Sequence, residues 1–83
     1  MISSEKRAKI IWHCRRGMLE LDLILNRFME KQFEFLSSNQ VEAFEKLLSC
    51  QDPDIYAWLM GYEQPKDREL IDIVAIIKHH GNH

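Results

Sequence analysis

Residues 70–81, "LIDIVAIIKHHG", decide the fold. Five of the first eight residues are β-branched, as a buried strand would have them, and the run is too apolar for periodicity alone to choose. The ends of the segment choose helix. Asp67 and Glu69 lie in its expected first turn, and Lys78, His79 and His80 precede Gly81. This is the charge order that a helix dipole favours, closed by the residue that most often ends a helix. No other segment offers a strand partner, and a lone strand would leave its backbone groups unpaired. The spacing therefore predicts an all-α fold, a compact bundle of about five short helices.

Working outward, Asp52 and Pro53 are expected to open the fourth helix. An aspartate there accepts from free amides, and a proline at the first helical position sacrifices no hydrogen bond. Ile55, Trp58, Leu59 and Tyr62 would face inward, with Gly61 and Pro65 ending the element. Ser37 followed by Gln40 reads as a capping box for the third helix, with Leu36 and Val41 as its hydrophobic staple and Phe44, Leu47 and Leu48 as its inner face. The second helix is expected from about Met18 to Phe33. Met18, Leu21, Ile24, Leu25, Phe28 and Met29 recur at spacings of three and four and give it a broad stripe, as of a central helix. The first is expected from a cap at Ser4, through Ala8, Ile11 and Trp12, to a break at Gly17.

With 83 residues the chain is expected to form a single domain, residues 1–83, with a modest core and little room for a deep catalytic pocket. Apolar residues make up 46% and there are only three glycines and two prolines, a composition that folds rather than one that stays disordered. Cys14 and Cys50 lack the C-x-x-C spacing, and no signal peptide or membrane-length apolar run is present, so reduced thiols in a cytoplasmic protein are expected, without membrane insertion. The net charge is −2 but uneven: residues 5–16 carry +4 and residues 17–63 carry −6. The basic end lacks the Lys and Arg density that tracking a phosphate backbone needs, which argues against nucleic acid.

Few residues invite catalysis. His13, His79, His80 and His83 have no serine or cysteine beside them in a nucleophile motif, and there is no glycine-rich phosphate loop. The "KHHGNH" tail lacks the cysteine or carboxylate that would complete a metal-ligand pattern. Cys14 adjoins two arginines, which would lower its pKa, but burial as an unreactive thiol is the expectation. Trp12, Trp58 and Tyr62 are expected as core anchors; exposure of any would mark a binding face instead. Glu30, Glu34, Glu42 and Glu45 read as solvated helix surface, with Glu42 and Lys46 a weak pair.

The exception is "CRRGMLELD", residues 14–22. Gly17 can end one helix or cap the next, and Glu20 can return a hydrogen bond to the Gly17 amide. That accounts for the glycine and the glutamate. It leaves Arg15 and Arg16 beside an electropositive helix start, where the dipole disfavours them, and an Arg16–Glu20 pair within one helix would have the less favourable order. Glycine also removes side-chain bulk. A partner's backbone could approach this corner, flanked by a donor fork from Arg16 and an acceptor from Glu20.

Arg16-Gly17-Met18-Leu19-Glu20 fits the R-G-x-x-E signature of the FAD assembly factors of succinate dehydrogenase, the SdhE or YgfY family, and "WHCRRGMLELD" resembles its longer pattern. "LLSCQDPDIYAWLMG", residues 47–61, resembles that family's second block, with Asp52, Pro53, Asp54, Trp58 and Leu59 at matching positions. Departures are small, chiefly the histidine-rich tail, which lies outside both blocks. The resemblance implies a non-enzymatic helical assembly factor. It would bind the flavoprotein subunit of succinate dehydrogenase, and in some bacteria that of fumarate reductase, and promote covalent attachment of FAD to a partner histidine. Arg16, Gly17 and Glu20 would then belong to the contact surface, with Arg15 and Met18 as neighbours. FAD would be the cofactor of the partner; the capping signals and the lack of a phosphate-cradling or closed ligand motif separately lead to the expectation of a helical monomer holding neither flavin nor metal. Two other classes stay open: an antitoxin-like regulatory protein affecting cell shape, and a small nucleic-acid-binding domain using the basic first helix.

Overall fold

The structure, a computed structural model, describes residues 4–81. Five α-helices follow one another: α1 (Ser4–His13), α2 (Leu19–Gln32), α3 (Ser38–Leu48), α4 (Asp52–Met60) and α5 (Arg68–Gly81). A single 3-10 turn, Phe33–Phe35, extends the end of α2, and there are no strands among the described residues. The fold is all-α, and the segment at 70–81 is helical as its ends required.

Local chemistry explains most boundaries. The Ser37 hydroxyl accepts from the Gln40 amide at 3.2 Å, and the Gln40 side chain accepts from the Ser37 amide at 2.8 Å, so the capping box is complete. Gly61 ends α4 in the left-handed region at φ 81°, where a side chain would be strained, and the Tyr62 amide folds back to the Ala57 carbonyl at 2.9 Å. The start of α4 differs from expectation. Gln51 is its cap residue, without a side-chain cap bond, and Asp52 is the first helical residue. The Asp52 carboxylate turns instead to Arg16, because a guanidinium is a stronger partner for it than a backbone amide. Likewise α2 starts at Leu19 behind Met18, and Gly17 caps neither helix.

The core joins Leu21, Leu25, Phe28 and Met29 of α2 to Val41, Phe44, Leu47 and Leu48 of α3, Ile55 and Leu59 of α4, and Leu70, Ile73, Val74 and Ile77 of α5. Ile10 and Cys14 close it from the α1 side. Phe28 and Phe44 meet at its centre with ring centroids 5.3 Å apart. The central element is α5, which packs on α2, α3 and α4, rather than α2 as its stripe suggested. The reason is that Leu70, Ile73, Val74 and Ile77 form a buried stripe at spacings of three and four, flanked by half-buried Ile71 and Ile76, which lets α5 meet three neighbours at once. Lys46 reaches across to the start of α5, 2.5 Å from Asp67 just before it and 3.8 Å from Glu69 in its first turn, and not along α3 to Glu42.

Two of the three expected anchors lie outside the core. Trp12 is 67% exposed and Tyr62 72%. Trp58 is half-buried and lines an open groove with Tyr62, Pro65 and Lys78. The correction has a plain cause. α1 buries only Ile10, so Trp12, two residues on, points away from the core, and Tyr62 lies beyond the end of α4.

Candidate functional site

The corner between α1 and α2 holds all five residues singled out in the sequence. Arg15, Gly17 and Glu20 are exposed, and Arg16 and Met18 half-buried. Gly17 has no positive φ, and a Cβ built on it meets nothing within 4 Å. The fold itself does not require a glycine here. Around it stand apolar side chains in water: Trp12, with the Arg15 guanidinium 5.8 Å from its ring centroid, Leu19 at 68% exposure, and Leu23 one turn further along α2. For Trp12, this is the exposure that the expectation above associates with a binding face rather than a core anchor.

Glu20 is in the first turn of α2, where the dipole favours its charge. It does not serve as a cap through the Gly17 amide. Its carboxylate stands beside the Tyr56 phenol of α4, and that charge, with the hydrogen bond between them, raises the phenol above the ordinary tyrosine range. Tyr56 in turn meets Tyr62 edge-on with centroids 6.3 Å apart, so the acid sits at one end of a small aromatic row.

Arg16 is the residue whose place the sequence concealed. Its side chain is only 13% exposed. Nη1 donates to Asp52 Oδ1 at 3.3 Å, Nη2 donates to the carbonyl oxygen of Leu48, and its backbone amide donates to Asp22 Oδ1 at 3.3 Å. Asp22 is held in turn by Asn26, whose amide nitrogen is 3.2 Å from the same oxygen. The arginine that seemed misplaced at one helix start thus neutralises the carbonyl end of α3 and the acidic start of α4. Sequence reasoning missed Asp22, Asp52 and Tyr56 as parts of the corner. The available signal was an arginine with no local acid in the favourable order.

Cys14, next to Arg15, is fully buried, and burial pushes its thiol up to about 12. It is the unreactive thiol expected. The described residues hold no cluster suited to a metal ion, and His83 of the tail lies outside them. No helix is long and apolar enough to cross a membrane among the described residues.

Residues 8–81 match the family model described as flavinator of succinate dehydrogenase. The chain is 46% identical over 77 residues to a protein named FAD assembly factor SdhE from Legionella pneumophila (strain Lens), covering 93% of this chain and 96% of the other. A protein of the same name from Yersinia pseudotuberculosis is 45% identical over 74 residues, covering 89% and 84%. In three dimensions the chain is similar to the solution structure of a UPF0350 protein, with a TM-score of 0.84 and 39% identity, covering 99% of this chain and 87% of that one.

Proposed function

The chain belongs to the family of flavinators of succinate dehydrogenase, whose relatives are named assembly factors, and from that membership we propose that it docks on the flavoprotein subunit of that dehydrogenase through the α1–α2 corner. Docking promotes covalent attachment of FAD to the partner, and the same surface serves the related fumarate reductase subunit where that enzyme occurs. The factor acts as a monomer in the cytoplasm.

The observation that carries this reading is Gly17. A glycine that neither turn geometry nor crowding requires, set among exposed Trp12, Arg15, Leu19 and Glu20, leaves an opening for another chain's backbone. Arg15, Gly17, Met18 and Glu20 form the rim of that opening, and Arg16 its floor. The corner fits a protein better than it fits FAD itself. A pyrophosphate needs converging donors, whereas the corner presents one exposed guanidinium beside a carboxylate, the second guanidinium being bonded to Leu48 and Asp52. FAD is therefore the partner's cofactor. Holding the partner's segments in register, so that the flavin and its acceptor histidine stay aligned, lowers the entropic part of the barrier without any reacting group on this chain.

In-gel flavin fluorescence of the flavoprotein subunit tests this in cells that lack the factor, carry it, or carry Gly17→Arg. Fluorescence is expected only with the unmodified factor. Full covalent flavin in its absence would remove the function, and full flavin with Gly17→Arg would remove the site.

A further inference from the structure

We propose that Arg16 is a positioning residue: its guanidinium fastens the α1–α2 corner to the corner between α3 and α4, and the partner meets the surface that this fastening holds, not the arginine itself. The inference rests on that corner being the docking surface.

Three observations carry it. Both terminal nitrogens are committed inside the chain, to Leu48, the last residue of α3, and to Asp52, the first of α4. Nε is buried and has no partner among the described residues, so the group is placed by those two bonds and turns no free nitrogen outward. The side chain is also far less exposed than Arg15 beside it. A partner carboxylate seeking Arg16 would have to break bonds that are half-desolvated, leaving the Leu48 carbonyl and Asp52 unpaired. Arg15, stacked on Trp12, is the accessible cation.

The arrangement needs a fork. A guanidinium reaches a carbonyl and a carboxylate on different elements at once, which the single ammonium of a lysine does not reproduce. Cys14, fully buried two residues from Arg16 and within the field of its charge, reports whether the corner is held.

The test uses the full chain with Cys50→Ala, leaving Cys14 as the one thiol, and compares Arg16→Lys, Asp52→Asn, Asp52→Ala and Gly17→Arg. Two quantities are read: the rate at which a chromogenic disulfide reagent labels Cys14, and the dissociation constant for the succinate dehydrogenase flavoprotein subunit across a range of salt. Arg16→Lys and Asp52→Ala are expected to speed labelling by about tenfold or more through local opening, with helical circular dichroism retained. They should weaken docking in parallel, leave its salt dependence as in the unmodified factor, and add little when combined. Asp52→Asn, the mildest change, should shift labelling in the same direction even if Asp52→Ala does not fold. Loss of docking in Arg16→Lys with Cys14 still protected and a flattened salt dependence would overturn the proposal, since Arg16 would then touch the partner. So would unchanged labelling in both Arg16→Lys and Asp52→Asn. Normal docking by Gly17→Arg would instead remove the docking surface, while the labelling rates still decide whether Arg16 holds the corner.

Discussion

Gly17 is the residue at which the needs of the fold can be tested apart from those of the proposed partner. A methyl group there meets nothing and the backbone is not left-handed, so Gly17→Ala should raise stability by about 0.4–1 kcal/mol through the unfolded chain alone. Gly17→Arg should melt near the unmodified protein yet fail to support covalent flavin. Glu20→Ala should likewise lose flavinylation with little change in melting temperature, because its bond to Tyr56 lies at the surface. A large fall in melting temperature with full flavinylation would make Glu20 a structural residue instead. Cys14 gives a pH dependence. Its folded pKa, about 12, is raised above the ordinary value of 9.0, so its contribution is complete below pH 9 and is lost as pH rises toward 12, where the unfolded thiol ionises first. Unfolding free energy should fall between those limits by up to about 1.4 kcal/mol per pH unit more steeply than in Cys14→Ala, as denaturant titrations at stepped pH would show. The local signals at Gly17 and Glu20 pointed to a cap that the chain does not form, since Met18 precedes α2 and Glu20 turns to Tyr56 on another helix. The role of Arg16 was not legible in the sequence, because its partners stand 32 and 36 residues away.

Among the helices, the chemistry of the ends was the readable part. Ser37 and Gln40 announced α3, and the charges around 70–81 outweighed the β-branched residues inside. Ser37→Ala should cost about 1 kcal/mol, and so lower the melting temperature by about 4–8 °C in a domain of this size, as thermal circular dichroism would measure. Gly61→Ala should cost more than the mild gain expected at Gly17, since it forces a side chain into the left-handed region. The same substitution at two glycines thus has opposite signs. What was not readable was the start of α4, where Asp52 had two uses with the same sequence signature. A carboxylate before a proline looks like a cap whether it bonds an amide or a distant guanidinium. Nor did the spacing of Trp12 and Tyr62 reveal their exposure, because periodicity reports that a face exists and not whether the neighbouring helix covers it.

For the whole molecule, one apolar cluster joins all five helices, and the exposed aromatic side chains outside it are Trp12 of α1, which buries only Ile10, Phe35 of the 3-10 turn and Tyr62 beyond the end of α4. The core needed only the apolar pattern and was legible; the outer face needed the tertiary arrangement. The bridge from Arg16 to Asp52 spans 36 residues, while the bonds of each helix span three or four. Closing so long a loop is entropically unfavourable until α3 and α4 are already docked, so the corner should be among the last parts of the chain to set. In refolding, protection of Cys14 from thiol labelling should lag the recovery of helical ellipticity, and Asp52→Asn should widen the lag. Simultaneous recovery in both would show that the corner forms with the first helices. On that expectation the opening beside Gly17 would act as its own folding checkpoint. With docking at this corner as proposed, a nascent or half-folded copy, with helices formed but Arg16 still unbonded, would present no ordered corner and would not compete for the flavoprotein with copies that have finished folding.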